Sequence, residues 1–317
     1  MSGPVRSEDL ADGDRPAAGA PVVELIESRE ARVGDGVVHR ALPTRVRRTV
    51  GAWCFLDHAP STDVAVGGGM QIGPHPHMGL QTVTWLLAGE VLHHDSLGSE
   101  QLIRPGQLNL MTAGRGVAHA EETPSTYRGP LHGVQLWIAQ PERTRDGAPA
   151  FEHHPELPVV AVSQSVGTVL VGEFAGSRSP ARRDTDHVGV DLVLAAGPTV
   201  VPVANDHEHA VFVVEGTVAV DSQRAAPDQL VYVGAGRDAL ELVASDAARV
   251  LLLGGVPFET RPLMWWNFVA RNRDEIDQAY RAWQSGDDRF GPVASGLDPI
   301  PAPTPPWAAE GRPFRST

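Results

Sequence analysis

The sequence predicts an all-β protein: two sandwich or barrel domains in tandem, followed by one short C-terminal helix. Three observations predict it. Apolar runs of strand length, rich in β-branched and aromatic residues, recur at regular intervals with Gly and Pro between them. No amphipathic helical pattern interrupts them between Val22 and Ile138. The two halves also repeat one order of strand and turn. Thr84–Val91 (TWLLAGEV) lies against Val211–Val218 (VFVVEGTV) at an offset of 127. Pro105–Leu108 (PGQL) and Ala113–Arg115 lie against Pro227–Leu230 (PDQL) and Ala235–Arg237 at an offset of 122.

Taken in order, residues 1–20 are polar, with Gly, Pro and Asp, and read as a flexible tail. Residues 21–145 form the first domain, with strands at Thr82–Leu87, Gln101–Ile103, Gln107–Met111 and Gly133–Ile138. The polar, Pro-rich stretch that follows makes residues 146–158 a linker. Residues 159–258 form the second domain, with strands at Val159–Val162, Thr168–Val171, Val190–Leu194, Val211–Val214, Gln229–Val233 and Val250–Leu253. In the segment 259–290, a helix is expected at 274–285. Ile276, Tyr280 and Trp283 share one face, Asn272 is placed to cap, acids crowd the first turn and Gly286 follows the end. Residues 291–317 are Pro-rich and read as an extended tail.

Composition narrows the function classes. Of 317 residues, 42% are hydrophobic and 21% charged, the mix of a globular chain. No run of about 18 apolar residues exists, so no membrane span is expected. The N-terminus lacks the apolar core of a secretion signal. Cys54 is the single cysteine, which excludes an internal disulfide and a Cys-cluster metal site and fits a cytoplasmic location. A net charge of −13 disfavours direct nucleic-acid binding and an anionic membrane surface. There is no lysine, so mechanisms needing a Lys Schiff base or a P-loop Lys are excluded.

The chemistry is expected on histidine. His75 and His77 stand in Pro74-His75-Pro76-His77, and residues two apart on a strand point to the same face. Pro76 suits a strand edge or start, where a barrel mouth lies. His119 and Glu121, in Gly114-Arg115-Gly116-Val117-Ala118-His119-Ala120-Glu121, form a second same-face pair. If the two strands adjoin, three imidazoles and one carboxylate converge, a ligand set for one divalent transition metal. His3Glu without thiolate suits Fe(II), Mn, Co, Ni or Cu(II), and four protein ligands on an octahedral ion leave two positions open.

Three stretches together resemble the pirin family: His75-Pro76-His77-Met78-Gly79-Leu80-Gln81-Thr82-Val83-Thr84, Leu92-His93-His94-Asp95-Ser96-Leu97-Gly98, and Met111 to Glu121. The resemblance extends to Phe55-Leu56-Asp57-His58 and Gly133-Val134-Gln135-Leu136-Trp137, covering about Gly51–Glu142 with specific motifs. It implies a bicupin: two jelly-roll cupin barrels, with metal in the N-terminal one only. It implies one divalent metal ion, Fe(II) foremost and Mn, Co, Ni, Cu or Zn as alternatives, on His75, His77, His119 and Glu121. No organic cofactor site is expected.

The implied activity is quercetin 2,3-dioxygenase, an oxidoreductase opening a small aromatic flavonol with O2. Glu121 is its expected catalytic residue, ligand and proton acceptor. The alternative is a non-enzymatic redox sensor, whose iron state governs binding to a regulatory protein partner.

One departure is Gln81, where pirins usually carry Glu; Gln81 is expected on the ligands' strand face, beside the metal. In the second half, the counterparts of His75, His77, His119 and Glu121 are Pro202, Ala204, Glu241 and Val243, which hold no metal. His207-Glu208-His209 reads as a polar strand entry or rim. His93, His94, His153 and His154 read as solvated, His132 as a pocket neighbour, and Trp85, Trp137 and Cys54 as core.

Overall fold

The computed structural model describes residues 22–34 and 36–308. The expected tail at 1–20 therefore lies outside the described residues. Two β barrels follow one another, each made of a seven-stranded and a four-stranded antiparallel sheet. In the first barrel the large sheet runs Ala150–His154, Leu108–Thr112, Leu80–Ala88, Gly129–Ala139, Trp53–Val64, Gly36–Leu42, Arg29–Val33. Its small sheet runs Gln71–His77, Val117–Glu122, Val91–Asp95, Glu100–Ile103. The second barrel repeats both in the same order. Its large sheet runs Val23–Glu27, Gln229–Val233, Glu208–Glu215, Ala248–Gly255, His187–Leu194, Ser165–Val171, Val159–Val162. Its small sheet runs Gly197–Pro202, Ala239–Ala244, Val218–Val220, Gln223–Ala225. The sequence repeat is thus a repeat of whole barrels.

The large sheets pack on each other. An antiparallel sheet usually keeps one face in water, but Leu80 to Leu86 are all buried. Thr82, Thr84 and Leu86 face the first barrel's cavity. Val83 and Trp85 face the other way, into a core shared with Ala210, Phe212, Leu251 and Leu253 of the second barrel. Val211, Val213 and Leu252 alternate with these and fill the second barrel's own interior.

Backbones meet closely at this seam. A Cβ on Gly189 would lie 2.7 Å from Trp53 Cζ2, and one on Gly51 would lie 2.7 Å from Gly255 Cα. Trp53 Nε1 donates to the Val188 carbonyl (3.0 Å) and Trp85 Nε1 to Asp191 (2.9 Å).

Three boundaries differ from expectation. Val23–Glu27, placed by sequence in the first domain, pairs with Gln229–Val233 of the second, because that sheet's edge offers an open ladder. The supposed linker 146–158 contains strand Ala150–His154, which pairs with Leu108–Thr112 and completes the first sheet. The Pro-rich stretch is irregular up to a 3-10 turn at Pro306–Ala308, and it is docked: Trp307 is buried, and Ile300 N–H donates to Pro74 O (2.8 Å). Residues 309–317 lie outside the described residues.

The helix spans Arg273–Ser285. The Asn272 side chain accepts from Glu275 N–H, and Gly286 ends the helix at φ 68°.

Trp53→Ala should cost about 3–5 kcal/mol, since it empties a fully buried indole site at the seam. Guanidinium unfolding measures it, and Gly189→Val should destabilise through the same contact from the opposite side.

Candidate metal centre

Strand Val117–Glu122 pairs antiparallel with Gln71–His77, and His119 lies directly opposite His75. The two same-face pairs therefore meet on adjacent strands. A bulge between His119 and Glu121 shifts the register, so Glu121 lies opposite Ile72. All four side chains are buried and line one cavity, together with Phe55, Thr82, Thr84, Leu86, Leu131 and Trp137. His75, His77 and His119 can each bring a ring nitrogen within 4.8 Å of the others. Glu121 falls into an overlapping group with His119 and His93. Its carboxylate accepts from Thr84 Oγ1 (3.2 Å).

The hydrogen bonds set the tautomers. His75 Nδ1 must donate to the Gly73 carbonyl (2.9 Å), which leaves Nε2 with its lone pair. His77 Nδ1 has no hydrogen-bond partner among the described residues. On the other side runs a relay. The Asp95 carboxylate accepts from His93 Nε2 (3.2 Å), so His93 Nδ1 is an acceptor for His119 Nδ1 (3.4 Å), and His119 Nε2 is left unpartnered. A carboxylate or carbonyl behind a ligating imidazole is how a metal-ready lone pair is held in place, and His75 and His119 have such support.

Burial keeps these rings neutral: it pushes His75 down to about 3, and His77 and His119 well below the ordinary value. It raises the Glu121 carboxyl. Buried nitrogens without partners are costly; a cation at their convergence would satisfy them and would lower Glu121 again.

Several sequence expectations need correction. Gln81 does not lie beside the ligands. The turn at Gly79 (φ 69°) separates their strand from Leu80–Ala88, so the two-residue alternation is not carried across. Thr82 and Thr84 line the cavity, whereas Gln81 is on the opposite face and donates to Thr112 Oγ1 (2.9 Å). His93 is buried, not solvated, with Phe151 of the supposed linker stacked on it. The signal for it was present: His93 and Asp95 are two apart on the strand neighbouring His119. His132 is turned to the seam, where its Nε2 meets His58 Nε2 at 2.8 Å. His153 and His154 are half-buried, against Asn109 and Glu152. Glu208 is no rim residue; it accepts from Gly51 N–H across the seam and from Tyr232 OH of its own sheet, both at 2.7 Å.

Comparison with known proteins places the chain. Residues 35–138 match the pirin family model, and residues 189–291 match the model of the pirin C-terminal cupin domain. A Pseudomonas aeruginosa protein provisionally named a quercetin 2,3-dioxygenase is 46% identical over 297 residues, covering 93% of this chain and 94% of its own. A pirin-like protein of Caulobacter vibrioides is 33% identical, covering 84% and 94%. A crystal structure of quercetin 2,3-dioxygenase from Acinetobacter baumannii superposes with a TM-score of 0.87 at 43% identity, covering 90% of this chain and 96% of that one. The two barrels are cupins, and the chain belongs to the pirin family. Among the described residues, no helix is long and apolar enough to cross a membrane.

Away from the centre, burial holds His187 and His209 down to about 4. An imidazole neutral in the fold but titrating near 6.5 when unfolded makes the unfolded chain bind more protons. Stability should therefore fall as pH drops from about 6.5 towards 4. His209→Gln should remove about one proton from that dependence, roughly 1.4 kcal/mol per pH unit, in urea midpoints measured across the window.

Proposed function

We propose that this pirin is a mononuclear iron-dependent dioxygenase that opens flavonols of the quercetin type with O2. The observation that carries the reading is the convergence of three neutral, buried imidazoles with two orphaned ring nitrogens beside the Glu121 carboxylate, in an apolar cavity. His75, His77, His119 and Glu121 would hold the metal. Nitrogen and carboxylate donors without thiolate suit Fe(II), and the names of the close relatives support the substrate class. When bound, such an ion supplies Lewis acidity towards a hydroxyl–carbonyl pair and a redox partner for O2.

The chain's own residues do the rest. Phe55, Leu86, Leu131 and Trp137 wall the cavity and exclude water from a flat aromatic ring. Glu121 takes the flavonol hydroxyl proton onto a carboxylate oxygen, and Thr84 Oγ1, hydrogen-bonded to that carboxylate, orients it. Deprotonation makes the flavonol electron-rich. Asp95, through His93, keeps the His119 proton on Nδ1 and away from the cavity.

Aerobic loss of quercetin absorbance with Fe(II)-loaded protein tests this. Glu121→Gln should lower turnover about 10²–10⁴-fold while three imidazoles retain much of the metal. His77→Ala should lose metal and activity together, measured by elemental analysis. No Fe(II)-dependent turnover in the wild type would overturn the enzymatic reading in favour of a redox-sensing regulator.

A further inference from the structure

We infer that the seam between the barrels carries a second divalent-cation site, of zinc class, whose ligands are His39 Nδ1, His58 Nδ1 and the Asp228 carboxylate. It uses none of the residues of the cavity site and stands or falls separately from the proposed function.

His39 and His58 lie directly opposite each other on the paired strands Gly36–Leu42 and Trp53–Val64 of the first barrel. Asp228 comes from the second barrel, in the turn before Gln229–Val233. One ligand atom from each lies within 4.8 Å of the other two. His58 Nδ1 is 2.6 Å from Asp228 Oδ1, and His39 Nδ1 is 2.6 Å from Oδ2. The second approach is an ion pair at hydrogen-bond distance whose angle is poor. Both ring nitrogens thus converge with the carboxylate on one point, each beside a different oxygen.

Asp228 itself argues for a role of its side chain. In the equivalent turn of the first barrel, Gly106 (PGQL) adopts φ 84°. In the second barrel Asp228 (PDQL) holds φ 67°, a left-handed conformation that glycine would adopt without strain. The carboxylate is what the substitution adds.

Support for the ligands resembles that of known metal sites. With Nδ1 on the ion, the His58 proton sits on Nε2 and donates to His132 Nε2, 2.8 Å away. His132 Nδ1 then faces Glu215 at 3.7 Å. Asp228 and Glu215 favour a cation here, while the nearby Arg249 is already bound to Asp191. His58 is buried, whereas His39 and Asp228 are each about one-quarter exposed, which leaves an entry path and room for a water as fourth ligand.

The test is zinc content of the full chain after equilibration with Zn2+ and removal of excess, read by elemental analysis. Asp228→Asn and His39→Ala should each lose the same single equivalent, which His77→Ala keeps. His132→Ala should weaken that equivalent about 10–100-fold. Asn tolerates the left-handed turn, and His39 is partly exposed, so both variants should fold; unchanged circular dichroism checks this. Zinc content that Asp228→Asn and His39→Ala both leave unchanged would overturn the site and leave the cluster as hydrogen bonding alone.

Discussion

The contact on which the rest of the molecule depends is the one between the two large sheets. Gly189 and Gly51 remove the Cβ atoms that would hold the backbones apart, and Trp53 fills the space on Gly189. With the second barrel on its outer face, the central strand Leu80–Ala88 of the first large sheet is buried on both sides from Leu80 to Leu86. A strand buried on both faces cannot slip by one residue without exchanging Val83 and Trp85 for Thr82 and Thr84. The seam therefore fixes which side chains reach the cavity, although it lies on the far side of the sheet from it. The second barrel covers that outer face with Ala210, Phe212, Leu251 and Leu253.

At the centre itself the governing term is desolvation. Three imidazoles taken out of water cannot all be charged, and each must put its one ring proton somewhere. Gly73 O accepts the His75 proton and the His93–Asp95 pair that of His119. What remains in the cavity is lone pairs. The site is preorganised for a cation by the groups behind the ligands as much as by the ligands.

Much of this was legible in the sequence because it rests on local periodicity. Strands, the capped helix and the same-face pairs His75/His77 and His119/Glu121 all follow from spacing along a single element. The repeat offsets located the corresponding turns, down to Gly106 and Asp228. What failed depended on partners far apart in the chain. Val23–Glu27 and Ala150–His154 carry weak patterns and become strands because sheet edges await them. Gln81 was misplaced because one glycine turn moves the chain to another sheet. His58, His132 and Glu208 look unremarkable until the second barrel is laid against the first, since their partners are 157 to 170 residues distant for Glu208 and the His58–Asp228 pair.

The C-terminal segment shows how the ligand strand is held. Gln71–His77 is the outer strand of its sheet, and Pro74 and Pro76 deny it two backbone donors. Such a strand pairs on one side only, and its other edge would be left to solvent. The chain after the helix closes that edge. Ile300 N–H donates to the Pro74 carbonyl, and the backbone at Asp298 passes so near Gly73 that any Cβ there would collide with its carbonyl. Ser295 Oγ donates to Glu122 on the adjoining strand (2.5 Å). Trp265, Phe268 and Phe290 pack with Met78 and Ala118 behind the same strands. Proline at the ligand motif thus makes the strand unable to extend its sheet, and a docked, Pro-rich segment that needs few hydrogen bonds of its own is the complement that fits it. The centre is built by the first barrel, but its outer strand is kept in register by residues more than 200 positions later.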